Sequence, residues 1–182
     1  DCQVRSETIQ SFGPALGIPW VEAMAGCPVV AYPGSLWAEA FLKSCDDRPP
    51  VRFDPDNAWL RKVAELTRVM VDYYAGRFPV CLPLMRGPLD TLAAMRTPAQ
   101  MCLDMVDQPQ AVHRILGEIT ELWIGFAEAL LRVIPSFHGG YCTRMRMWAP
   151  GPAITPQNDV SSLLSPRMYE EFGLPYDRRI MA

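Results

Sequence analysis

Between Asp107 and Pro135 the chain carries the feature that most restricts what it can fold into. Val112, Ile115, Leu116, Ile119, Leu122, Trp123, Phe126 and Leu130 recur at helical spacing, with Glu118, Glu121, Glu128 and Arg132 mostly off that face. The pattern predicts one helix over residues 108–134, capped by Asp107 and about 40 Å long at 1.5 Å per residue. So broad an apolar face must be covered. Its flanks supply candidates. The run Phe78-Pro79-Val80-Cys81-Leu82-Pro83-Leu84-Met85 is of strand length and apolar throughout, as in a strand covered on both faces, although its prolines remove ladder donors. After Pro135 and Gly139-Gly140, residues 141–148 alternate well enough for another strand.

The rest of the chain fits that frame. Asp54-Pro55 predicts an N-cap with proline at N1, opening a helix that Leu60, Val63, Leu66 and Met70 carry to Gly76. Arg86-Gly87-Pro88-Leu89-Asp90 turns the first strand into a short helix. Ser165-Pro166 caps another, which Gly173 and Pro175 stop or kink. Residues 157–162 then form the loop between a strand and that helix. Residues 1–50 are less regular. A short helix from Pro19 stopped by Gly26, a strand over 28–32 and a helix over 35–43 are expected there. Alternating strands and helices imply an α/β fold around a parallel sheet, in which ligands bind at the C-terminal ends of the strands.

Composition narrows the function classes. The net charge is −3, with 49% hydrophobic and 20% charged residues, which is globular and shows no basic stripe for nucleic acid. No run of about 18 apolar residues suggests a membrane span. Six cysteines form no CxxC pair and no small disulfide framework, which fits a reducing, cytoplasmic compartment. Neither GxGxxG nor GxxxxGK[ST] occurs, so no nucleotide site is implied.

Three segments resemble the uroporphyrinogen decarboxylase superfamily. They are Pro79-Val80 through Gly87-Pro88 to Thr91-Leu92; Asp107-Gln108-Pro109-Gln110-Ala111-Val112-His113; and Leu164-Ser165-Pro166 followed by Tyr169, Glu171-Phe172 and Leu174-Pro175-Tyr176. Their order and spacing cover residues 78–180. The resemblance implies a (β/α)8 barrel, a fold of about 250 residues. The 182 residues, with their abrupt ends, would then be one partial barrel domain: an irregular part over 1–50 and βα units over 51–182. Exposed strand edges would make a homo-oligomer possible.

The family holds cofactor-free decarboxylases of uroporphyrinogen acetates, zinc-dependent methyltransferases acting on methylcorrinoids or thiols, and members of unassigned activity. The resemblance therefore implies cofactor-free decarboxylation of a tetrapyrrole carboxylate, with a small tetrapyrrole or corrinoid-type ligand. The alternatives are methyl transfer, with zinc and corrinoid as cofactors and the metal ligands outside this chain, or a barrel that binds a tetrapyrrole without turning it over. Departures are visible: Met95 stands where the decarboxylases have a pocket tyrosine, Asp159 where they have a serine. The stretch Ile9-Gln10-Ser11-Phe12-Gly13-Pro14-Ala15-Leu16-Gly17-Ile18 lacks their early aspartate.

Asp159 is the candidate catalytic group, a loop carboxylate able to accept a proton or stabilise a cation. It would equally serve an Asx-turn. Arg86, Asp90, Asn158, Arg146 and Tyr176 are the candidate substrate contacts. Arg86 suits a substrate carboxylate, but Arg86 and Asp90 would also pair with each other. Arg144 and Arg146 would share one strand face, turned either inward to a ligand or outward to water, with Trp148 packing at the end. His113 reads as helix packing. His138 and Cys142 supply at most part of a zinc set, so no metal ligand is assigned.

Overall fold

The computed structural model describes residues 9–14, 17 and 19–182. Among the described residues, helices dominate and parallel pairing is confined to one two-residue strand pair and one isolated bridge. The first helix is α1 (Trp20–Met24), followed by the antiparallel pair β1 (Val29–Tyr32) and β2 (Ser35–Ala38). Residues 35–38 are therefore not the start of a helix. Pro33 presets one turn position and Gly34, at φ +80°, takes the left-handed one, so the two residues close a hairpin with Tyr32 opposite Ser35.

Helix α2 (Ala58–Tyr74) begins three residues later than its proline implies. Asp54 caps only a local turn, accepting from the Asp56 amide at 2.9 Å. Asn57 is the true N-cap, its side chain accepting from the Trp59 N–H at 2.9 Å. The following apolar run is not one continuous strand. Pro79 and Pro83 have no N–H, and pairing contracts to a parallel bridge at Val80–Phe12 and to β3 (Met85–Arg86).

Helices α3 (Pro88–Arg96), α4 (Pro98–Asp107) and α5 (Pro109–Leu131) then form the wall of the core. The N-cap of α5 is Gln108 rather than Asp107. All eight apolar residues of its expected face are at most 1% exposed. Glycine at 125 lets Phe53 lie flat on this helix, since a Cβ there would come within 2.6 Å of the ring. Packing also fixes the one internal ion pair of the wall, Arg96 Nε to Asp104 at 2.6 Å.

The expected strand over 141–148 is a tight hairpin, β4 (Tyr141–Cys142) against β5 (Trp148–Ala149). Thr143 and Met147 close it, and Arg146 sits in the turn at φ +64°. Arg144 and Arg146 consequently do not share a strand face. Next, β6 (Pro156–Gln157) pairs in parallel with β3, Met85 opposite Pro156 and Arg86 opposite Gln157. A 3₁₀ turn (Asp159–Leu163) leads to α6 (Pro166–Phe172) and α7 (Leu174–Met181), with Ser165 capping α6 and Gly173 between the two helices. The fold is mixed α/β. No closed barrel is present among the described residues, and no helix among them is long and apolar enough to cross a membrane.

Candidate functional site

The parallel pairing of β3 and β6 brings the ends of both strands to one edge, and Gly17 lies against them. Two adjoining cavities open there. One, of about 390 Å³, is lined by Trp37, Arg86, Asp90, Asp159 and Ser162 among others. The second, of about 100 Å³, lies between Trp20, Glu22, Leu36, Met85, Arg86 and Gln157. Arg86 and Ala38 wall both. A larger groove, of about 910 Å³, lies elsewhere between α2 and the end of α5, lined by Asp56, Arg61, Arg68, Asp72 and Arg132 among others.

Asp90 shows why this loop has its shape. Its side chain, on the first turn of α3, reaches across to the start of the 3₁₀ turn. Oδ2 accepts the Asp159 N–H at 3.0 Å and Oδ1 the Val160 N–H at 2.8 Å. It is a cap supplied from another helix. Burial raises its pKa above the usual carboxylate value, while these two bonds oppose the shift and the nearby Asp159 adds to it. Arg86 does not pair with Asp90 within ion-pair distance. Its Nη1 lies 3.3 Å from Glu22 Oε1 instead, and its guanidinium carbon stands 5.9 Å from the centre of the Trp37 ring.

Glu22 is the residue that sequence reasoning passed over. It is 1% exposed, on a five-residue helix whose other members are apolar. Oε1 has only the ion pair to Arg86, and the buried Nε1 of Trp20, a residue lining the same cavity, has no hydrogen-bond partner among the described residues. Burial pushes the Glu22 pKa up; Arg86 opposes this and Asp90 reinforces it. A signal was there. Glu22 is the only charged residue from Thr8 to Ala38, and a lone acid in such a stretch is either paired or functional.

Asp159, by contrast, is exposed at the rim. The Gln157 side-chain amide donates to it, and Ser162 Oγ donates to its backbone carbonyl at 2.8 Å. Asn158 turns away from the cavity. Its Nδ2 donates to Asp177, which also accepts from Tyr169 Oη at 2.6 Å. That bond to Asp177 is the main reason the Tyr169 pKa is pushed up to about 12. The half-buried Asn158–Asp177–Tyr169 network ties the loop to α6 and α7.

The remaining candidates lie apart from the cavities. Tyr176 is buried against α5, donating to the His113 carbonyl at 3.0 Å and lying 2.9 Å from His113 Nδ1. His113 itself stacks on Phe172 with ring centres 4.6 Å apart, which is packing. Arg146 is exposed at its hairpin tip. Arg144 braces the segment ahead of α1, donating to the Gly13 carbonyl at 3.0 Å. Trp148 packs on Gly140 and donates to the Phe137 carbonyl at 3.0 Å. Among the described residues no three of His, Cys, Asp or Glu converge as a metal site, and Cys27, Cys45, Cys81, Cys102 and Cys142 are free thiols.

The chain matches no family model and no curated protein. It is similar to a solved structure, a methyltransferase from Methanosarcina mazei, with a TM-score of 0.68 at 16% identity. The match covers 95% of this chain and 48% of the methyltransferase. What the two share is the fold. This chain spans about half the length of that protein.

Proposed function

We propose that the protein belongs to the uroporphyrinogen decarboxylase superfamily, forms part of a (β/α)8 barrel, and serves methyl transfer rather than decarboxylation. One observation carries the choice. Around the two cavities, the carboxyls of Glu22, Asp90 and Asp159 face a single guanidinium, that of Arg86. Such a mouth repels a ligand bearing several carboxylates and leaves Arg86 engaged with Glu22 rather than free to clamp one. The lack of an acid over residues 9–18, where the decarboxylases carry theirs, and the methyltransferase fold likeness support the same choice.

In this reading the methyl group passes as a methyl-cation equivalent from a methylcorrinoid to a thiol. The donor keeps the electron pair of the broken bond and the thiol gives up its proton. Asp159, exposed and held by Gln157, takes that proton. Arg86, held by Glu22, shapes the acceptor's seat as the wall common to both cavities. Zinc would serve such chemistry by activating the thiol. The described residues of this chain do not form a site for it, so their part is binding and orientation.

The test is a direct assay in which the protein is incubated with methylcobalamin and a thiol while the corrinoid absorbance is followed. The expected result is demethylation of the corrinoid that Asp159→Asn slows at least tenfold. Release of CO2 from a porphyrinogen, with no demethylation, would overturn the proposal in favour of the decarboxylase.

A further inference from the structure

We infer that the larger cavity selects the methyl acceptor: it takes an uncharged thiol carrying an apolar ring, with the ring seated inside and the sulfur at the Asp159 rim. This rests on the methyl-transfer reading of the strand edge and adds the class of acceptor to it.

Three observations converge. The cavity keeps about 390 Å³ because much of its wall is alanine: Ala38, Ala40, Ala93 and Ala94. That volume lies within the range of small-molecule pockets, about 300–1,000 Å³, which are mostly apolar with a few placed polar groups. Second, two of the large apolar side chains that the fold leaves in water stand at this cavity. Trp37, on β2, is 57% exposed, and Leu163, at the end of the 3₁₀ turn, is 60% exposed. A bound apolar group covers part of both. Third, the charged side chains of the lining are either engaged or repel anions. Arg86 pairs with Glu22, and Asp90 accepts two backbone amides. Asp159 accepts from Gln157, has no cationic partner among the described residues, and stands exposed at the rim.

These features rank the acceptors. A ring gains by leaving water for the alanines and the Trp37 indole, in the offset or edge-on contacts that aromatic pairs favour. A carboxylate on that ring finds no free counter-ion and meets Asp159 as a like charge. The remaining polar side chains of the lining, Thr97 and Ser162, are neutral. A thiol is uncharged until it gives up its proton, so it approaches the Asp159 carboxylate without that repulsion.

Benzyl mercaptan, 2-mercaptoethanol and 4-(mercaptomethyl)benzoate separate the ring from the charge. Titrated into the protein without corrinoid and followed by calorimetry, benzyl mercaptan is expected to bind at least tenfold more tightly than 2-mercaptoethanol. It is expected to bind at least fivefold more tightly than the benzoate. Ala94→Leu, at a half-buried position on α3, exchanges one good helix former for another, fills the cavity and removes the preference for the ring. Ala40→Leu, exposed just after β2, does the same at least threefold and provides a second reading if the first variant folds poorly. Asp159→Asn narrows the gap between benzyl mercaptan and the benzoate. Equal binding of benzyl mercaptan and 2-mercaptoethanol overturns the inference, as does tighter binding of the benzoate or no binding by any of the three. A ring preference that survives both alanine variants, or a gap that Asp159→Asn leaves unchanged, overturns it as well. An intact ring preference without demethylation of methylcobalamin would instead count against methyl transfer and leave the ligand class of the cavity standing.

Discussion

On the side of the molecule built by α2, α4 and α5, the polar residues Thr67, Thr120 and Asp104 go inside and find partners. Thr67 and Thr120 each donate to the carbonyl four residues back at 2.7 Å, and Asp104 collects Arg96, Gln100 and Cys45. Along the parallel pairings the opposite holds. Gln10, Trp20, Glu22, Thr155 and Asn158 each bury a polar atom without a hydrogen-bond partner, as do Thr91 on α3 and Asp177 on α7. The first region pairs these buried groups and holds the fold. The second leaves conflicts standing around two cavities, where a ligand can resolve them. Unpaired buried polar groups cost stability, and most of them lie near this edge.

That contrast breaks most visibly in the wall. Phe126 is fully buried in the core, and Phe126→Ala should cost about 3–5 kcal/mol in chemical denaturation. A loss below about 1 kcal/mol would mean that α5 is not the main support. At the edge, Asp90→Ala leaves the Asp159 and Val160 amides without their acceptor, and a loss of about 1–3 kcal/mol is expected. It should also loosen the loop, seen as faster amide exchange at residues 159–163. Unchanged exchange would remove Asp90 as the cap.

A smaller effect separates the two candidate caps of α2. Asn57→Ala should lower stability by about 1 kcal/mol, whereas Asp54→Ala, which frees only one exposed turn amide, should do clearly less. The alkaline limb sharpens the edge network. Tyr169 holds its proton more tightly folded than unfolded because it donates to Asp177. Its contribution is therefore complete below about pH 10, the free value, and is lost as pH climbs through about 12. Tyr169→Phe should flatten the fall in stability over that window. An unaltered slope would show that the pair carries no linkage.

How much of this was written in the chain follows from the range of each interaction. The face of α5 and the Ser165 cap of α6 are set by neighbours three to four positions apart, and both stand as the spacing implies. The hairpins were harder to read. Pro33-Gly34 is a turn signal, but the apolar residues after it fit a helix as well as a strand. In 141–148 the alternation is that of two strands folded back at Thr143–Met147. Asp90 sits 69 residues from the amide it caps, so no local pattern reveals its use. Tyr176 carries a motif resemblance, yet its hydroxyl is spent on His113, 63 residues away. The candidates that did come together, Arg86, Asp90 and Asp159, share a cavity because β3 and β6 pair in parallel and end at one level.

Glu22→Gln, assayed side by side for thermal stability and corrinoid demethylation, tests most directly whether this edge is built for a ligand. In the native protein burial raises the Glu22 pKa, so the folded state loses stability as pH rises from the unfolded value through the folded one. An uncharged isostere escapes that loss. The expected result at neutral pH is a melting temperature equal to or above that of the native protein, together with demethylation reduced at least tenfold. A melting temperature that falls, with activity declining only in proportion to the folded fraction, would make Glu22 a structural partner of Arg86 and contradict the assignment of the edge as the working site.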